Sequence, residues 1–184
     1  MESDVTSNDV YLTQFSERDM DGVVTCINIA YSETMAIFKN IHIRRTSREQ
    51  LEMELKEECS EIWGYRSKSG EVVATVIIRS INRNTGSVEL LSVLPEYMGL
   101  GLSSALLRHS EYILHEAGKK SMRMRVFLPN DFDVRDFEHL GYSVIAVDRW
   151  KEMKEVLKPE AYDTWVWVTL EKSIGIASKS VHVK

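Results

Sequence analysis

Residues Gly99-x-Gly101, followed by Ser103-Ser104 and an apolar run, are the part of this 184-residue chain whose types and spacing suit chemistry. The stretch from Leu94 to Leu107 reads as a strand end, a glycine turn and the start of a helix. The first four N–H groups of a helix have no internal partner, and the aligned peptide dipoles add partial positive charge there. Glycines let the backbone approach an anion closely and take up positive φ. Ser103 and Ser104 add hydroxyl donors. The stretch is therefore a candidate phosphate cradle, and its plain alternative is a tight turn that needs small residues. It is not the dinucleotide fingerprint, because Ser104 stands in place of the third glycine, and no Gly-Lys-Ser/Thr follows as a P-loop requires.

Pro95 lies just before the glycines and cannot donate to a sheet ladder, so the strand is expected to stop or splay there. A splayed strand leaves backbone groups open to an extended ligand. A phosphate cradle beside such an edge suits a pyrophosphate joined to a linear amide chain, which is what coenzyme A carries.

The elements that must position this stretch read as β-α-α-β-β-β-α-β-α-β-β. Val10–Phe15 alternates loosely as a first strand, and a helix starts at Ser16 with Asp19 as capping partner and runs to about Tyr31. Residues 32–45 have no clear period and read as a loop or short helix. Ser47 and Gln50 form a capping box ahead of Leu51, Leu55 and Cys59. Strands follow at 62–65, 72–79 and 87–94, with turns at 67–70 and 82–86. Leu102, Ala105, Leu106, His109 and Ile113 mark one helical face, closed by Gly118. Strand 122–128, a short helix ending near Leu140 with Gly141 as cap, and strands 142–147 and 165–170 complete the order. Residues 172–184 read as a loose tail. This predicts one α+β domain over 1–184, with its core at about 10–171.

Composition narrows the classes. Apolar residues make up 43% and charged residues 28%, with a net charge of -5. That argues for a soluble globular protein, against nucleic acid as partner, and against a membrane span, which needs roughly 20 apolar residues in a row. The acidic polar start carries no secretory signal, so a cytoplasmic location is expected. Arg44, Arg45 and Arg48 form the one obvious basic cluster and read as a solvated loop and helix start. Cys26 and Cys59 read as buried free thiols. The five histidines show no ligand spacing, and no metal site is expected.

The chain resembles the GNAT acyltransferase superfamily from about Val10 to Glu171. The family's pyrophosphate motif, Q/R-x-x-G-x-G/A after a Val-x-Pro-Glu turn, is matched at Val93, Pro95, Glu96, Gly99 and Gly101. Met98 stands where Gln or Arg is usual, and Ser103 where Gly or Ala is usual. Downstream, Asn130, Glu138, Gly141 and Tyr142 keep the spacing N-x-x-A-x-x-x-Y-E-x-x-G. The resemblance implies a mixed, mostly antiparallel sheet of six to seven strands flanked by about four helices and splayed at the cofactor site. It implies transfer of an acetyl group from acetyl-CoA, as cosubstrate, to the primary amine of a small molecule, peptide or protein. Leu91, Val93, Met98, Gly99, Leu100, Gly101, Leu102, Ser103, Ser104, Asn130 and Phe137 would contact the cofactor.

A lysine-like amine has a pKa near 10.4, so roughly one molecule in two thousand is free base at pH 7. Glu89, four residues before Val93, is the candidate general base. Even spacing puts Glu89, Leu91 and Val93 on one face unless a bulge intervenes. The Val93 N–H would be the oxyanion donor by resemblance. Phe137 occupies the position where many members carry a tyrosine that protonates the departing thiolate, and it has no proton to give. The alternative reading is a catalytically weak, CoA-binding sensor or interaction domain. By the same resemblance, the acceptor is expected to be chosen by the region after the first helix and the late hairpin, here about residues 31–46 and 148–164. Trp150, Trp165 and Trp167 read as sheet packing, and Trp165–Leu170 as an edge strand available to a homodimer.

Overall fold

Two capping boxes start the helical layer. Ser47 accepts from the Gln50 N–H at 3.2 Å, while Gln50 accepts from the Ser47 N–H at 3.0 Å. At the first box, Asp19 accepts from the Ser16 N–H and hydroxyl at 2.8 and 2.9 Å. The computed structural model describes residues 9–40, 42–56, 60–129, 133–149 and 153–175. In chain order it contains β1 (Val10–Phe15), a single 3₁₀ turn at Glu17–Asp19, α1 (Met20–Ala30), α2 (Ser32–Met35) and α3 (Arg48–Leu55). Then come β2 (Ser60–Ser67), β3 (Val72–Ser80), β4 (Thr85–Val93), a second 3₁₀ turn at Pro95–Tyr97, and α4 (Leu102–Glu116). The last part holds β5 (Ser121–Pro129), α5 (Arg135–Glu138), β6 (Ser143–Asp148), α6 (Met153–Val156), α7 (Pro159–Tyr162) and β7 (Trp165–Ser173).

The expected α+β class holds. Seven strands form one sheet in the order β1-β2-β3-β4-β5-β7-β6, antiparallel throughout except for the parallel pair β4/β5. Helices α1 and α4 cover opposite faces, because alternation sends neighbouring β2 residues to different helices. Trp63 meets the His109 ring of α4 edge-on, with centroids 4.3 Å apart. Arg66 turns the other way, 2.6 Å from Asp19 at the start of α1. The core between these layers includes Val23, Ile27, Val76, Ile77, Leu106, Met122, Val168 and Leu170, all buried.

Three expectations need correction. Helix α4 buries Leu102, Leu106, Leu107, Ser110 and Leu114, a face turned slightly from the one read at Ala105, His109 and Ile113. The strand at Trp165 is not an edge: β7 lies between β5 and β6, so the free edges are β1 and β6. It also continues to Ser173, with Ile174 buried behind it, so residues 172–174 belong to the core and not to a tail. Among the described residues no helix is long and apolar enough to cross a membrane.

Asp19 is half-buried, and burial alone would raise its pKa; hydrogen bonds from Ser16 and the charge of Arg66 outweigh that and hold it below the usual carboxylate range. A carboxylate with a depressed folded pKa stabilises the protein fully above its unfolded value and loses that contribution as pH falls through the folded one. Asp19→Asn should therefore cost about 1 kcal/mol at pH 7, or about 2–4 °C in Tm. The gap from the parent should close below about pH 4, as melting curves across pH would show.

Candidate functional site

The parallel ladder between β4 and β5 runs only from Thr85↔Ser121 to Val88↔Met124. Beyond it the strands part. On the other edge of β4 the register with β3 slips between Ile77↔Glu89 and Thr75↔Ser92. One extra residue sits in β4 there, and Leu90 takes a left-handed φ of 49°. The splay therefore begins at a bulge at Leu90, not at Pro95 as the proline alone suggested. Bulges bend a strand and re-aim its side chains.

The bulge also changes the facing of β4. Glu89 stands opposite Ile77, on the α1 face with Ser87. Val93 stands opposite Ala74, which alternates with Thr75 and Ile77 and so lies on the other face. Glu89 and Val93 thus do not share a face, contrary to their even spacing. The Glu89 carboxylate is fixed on both oxygens: Oε1 accepts from the Ser87 hydroxyl at 3.0 Å, and Oε2 lies 3.2 Å from Arg79 Nε. The Leu94 N–H donates to the Val73 carbonyl of β3 at 2.9 Å. Alternation then points the Val93 N–H the opposite way, into the gap left by β5. The Leu91 carbonyl accepts from the Tyr31 hydroxyl at 3.4 Å.

At the end of β4 the chain turns through Pro95–Tyr97 and enters α4. Gly99 and Gly101 have φ of 78° and 75°, and Gly101 is the N-cap of α4 with no side-chain cap. A Cβ built at either glycine meets nothing within 4 Å, so the left-handed backbone, not crowding, demands glycine, and the space before the helix is open. The first turn of α4 carries no acidic residue. Its N–H groups, Leu102 among them, have no intrahelical acceptor. Ser103 and Gly101 are exposed, while Leu100 and Ser104 are half-buried. Met98 is 58% exposed and adds no charge. Arg108, a turn and a half into the helix, is also exposed. Open space, left-handed glycines and unpaired donors fit a pyrophosphate.

Phe137 packs half-buried against the core. Asn130, Cys59 and Trp150 lie outside the described residues. Tyr142 is buried, and burial, then the charge of Glu111, raises its pKa, so its phenol is sealed off from the gap. Burial, aided by Glu71 and Glu96, pushes the Cys26 thiol up to about 12, which makes it inert.

Sequence reasoning missed a cavity of about 510 Å³ on the α1 face, walled by Tyr31, Phe38, Arg44, Arg45, Arg125 and Trp167, among others. Arg44 and Arg45 are cavity walls and not merely a solvated loop. Trp167, read as sheet packing, stacks on Phe127 at 4.9 Å and also faces the cavity. Asn28 of α1 clamps the arginine loop. Its Oδ1 accepts from the Arg45 and Thr46 N–H groups at 2.8 and 3.2 Å, and its Nδ2 donates to the Thr46 carbonyl at 2.9 Å. The two segments expected to choose the acceptor touch: Phe38 bridges Leu157, and the Lys39 and Lys158 N–H groups donate to Val156 and Ile37 carbonyls at 2.9 Å. The basic pair was the one signal of this wall visible in sequence; Arg125 and Asn28 left none.

The family model for the acetyltransferase (GNAT) family matches residues 27–142. Among solved structures, the chain resembles the ribosomal-protein-S18-alanine N-acetyltransferase of Escherichia coli, with a TM-score of 0.66 and 15% identity over 95% of this chain and 99% of that one. It resembles spermidine N-acetyltransferase of Vibrio cholerae, solved with CoA and spermine, with a TM-score of 0.65 and 13% identity over 91% and 97% of the two chains. A GNAT family acetyltransferase of Elizabethkingia anophelis with acetyl-CoA bound aligns at a TM-score of 0.62 and 9% identity over 91% and 99%.

Proposed function

The chain belongs to the acetyltransferase (GNAT) family, and from that premise we propose that it transfers an acetyl group from acetyl-CoA to a primary amine by direct attack in a ternary complex. The observation that carries the reading is the open β4/β5 gap ending on the left-handed Gly99-x-Gly101 turn and the bare N-terminus of α4. Solved structures of the same fold hold CoA or acetyl-CoA.

In this reading the backbone N–H groups around Gly99, Gly101, Ser103 and Ser104 hold the pyrophosphate, and the Leu91–Val93 edge holds the amide arm, to which the family resemblance adds contacts from Asn130 and Phe137. Met98, Leu100 and Leu102 flank the cradle. Acetyl-CoA supplies an activated thioester carbonyl. The acceptor nitrogen bonds to that carbon and releases its second proton to solvent as the amide forms, while the carbon–sulfur bond breaks and the sulfur leaves as thiolate. Glu89 takes the ammonium proton, directly or through water, before the attack. The Val93 N–H, aimed into the gap, stabilises the oxygen that gains charge. Phe137 gives the thiolate no proton, so the leaving group departs unassisted.

The test is calorimetric titration with acetyl-CoA followed by initial rates on a panel of amines. Glu89→Gln should lower kcat about 100-fold at neutral pH, leave acetyl-CoA affinity within about twofold, and regain rate as pH rises towards the amine pKa. Acetyl-CoA binding with no turnover of any amine would instead favour the second reading, a CoA-binding module, to which Met98 and Phe137 lend support. No binding at all would sink both.

A further inference from the structure

Resting on that reading of the gap, the cavity beside it has a chemical character that the family does not dictate. It lies on the face that carries Glu89. Ser87, on the Glu89 face, pairs with Arg123 in the parallel ladder, and Arg125 and Phe127 follow Arg123 at even spacing. Trp167 sits opposite Phe127 on β7. One more step of the β4/β5 register would bring Glu89 beside Arg125, the residue at the cavity wall nearest the parting strands.

Among the described residues, three arginines and no acid line this cavity, although the chain as a whole carries 28 acidic residues against 23 basic ones. Elsewhere the protein pairs its arginines with acids: Arg48 with Asp21, Arg66 with Asp19, Arg123 with Glu171, Arg149 with Asp163. Arg44 and Arg45 have no such partner among the described residues. Two of the guanidiniums lie over aromatic rings, Arg45 at 5.3 Å from the Tyr31 centroid and Arg125 at 4.8 Å from that of Trp167. Stacking on Tyr31 holds the Arg45 guanidinium as a planar fork, the geometry that pairs with a carboxylate. The rest of the wall is apolar and aromatic, and a volume of about 510 Å³ suits a ligand of small-molecule or short-peptide size.

We infer that the acceptor is a carboxylate-bearing amine with an apolar or aromatic body, its carboxylate held by Arg44, Arg45 and Arg125 and its amine turned towards Glu89. A polyamine would bring cations to a wall that is already cationic. Asn28 is a positioning residue, since it sets the loop that presents Arg45.

The test compares para-(aminomethyl)benzoate with para-(aminomethyl)benzamide, which share a ring and an amine and differ in the charge, and adds spermidine as the polycation. Binding to the protein–CoA complex is followed by thermal shift, and kcat/KM is measured with acetyl-CoA. The benzoate should be preferred over the benzamide by at least about tenfold, and over spermidine by more. The double variant Arg44→Gln/Arg45→Gln should erase that preference through KM while leaving acetyl-CoA affinity as in the parent. Equal or better use of the benzamide or spermidine by a protein that binds acetyl-CoA would overturn this inference and leave the transferase reading standing. If amines are not turned over, a benzoate that shifts Tm no more than the benzamide would overturn it as well. Failure to bind acetyl-CoA would remove the reading on which it rests, and the inference with it.

Discussion

Gly101→Glu should abolish acetyl-CoA binding, with affinity falling at least about 1,000-fold. Three effects act in the same direction. A residue with a Cβ at φ 75° pays about 1–2 kcal/mol for the left-handed backbone. A carboxylate at the N-cap can take for itself the N–H donors meant for the pyrophosphate. It also sets like charge against the ligand's phosphates, which costs several kcal/mol in a close contact. Gly101→Ala separates strain from charge and should lose about tenfold. Because a Cβ at this position meets nothing within 4 Å, both variants should fold. Calorimetric titration of the two variants beside the parent is the measurement. Binding of the glutamate variant within tenfold of the parent would mean that the anion does not sit on the start of α4.

Gly64→Val should be the most destabilising single change in the sheet, costing about 3 kcal/mol or more and lowering Tm by about 10 °C. Gly64 lies in β2, and a Cβ built there comes within 2.1 Å of the Ala74 carbonyl oxygen and 2.5 Å of the Phe15 ring. The oxygen belongs to the backbone of β3, so no rotamer change relieves the contact; the strands must separate. Gly70→Ala is the control, because its φ is 91° but its Cβ would meet nothing within 4 Å, and it should cost about 1–2 kcal/mol through strain alone. Thermal melts of the pair at one pH decide the matter. Equal melting points would show that β2 and β3 yield more easily than their packing implies.

The sequence reading reached furthest where the signal is local. Capping boxes at Ser16 and Ser47 and the glycine turn at 99–101 each involve residues within a few positions, so their types and spacing were enough; the period of α4 gave the helix but not which of its faces is buried. The bulge at Leu90 was not legible, because it exists only as a mismatch with β3, and nothing in Glu89–Val93 marks which register wins. That single slip moved Glu89 and Val93 to different faces. The cavity was hidden for a similar reason: Tyr31, Arg45, Arg125 and Trp167 meet only after four separate segments are packed. Helices α2, α6 and α7 have four residues each, too short to stand alone, and owe their form to contacts such as Phe38 with Leu157.

The place of β7 between β5 and β6 has a consequence for the order in which the molecule can be completed. Strand β6 is made before β7 yet has no ladder with β5; every hydrogen-bonded partner it has in the sheet arrives with Trp165–Ser173. Until that segment leaves the ribosome, the sheet can close from β1 to β5 but must present β5 as a bare edge. The glycine turn and the start of α4 belong to the part already formed, whereas the aromatic wall of the cavity awaits Trp167. A nascent chain can therefore form its glycine turn before the cavity wall is complete, and the last strand acts as a keystone that locks β6 and closes that wall in one event.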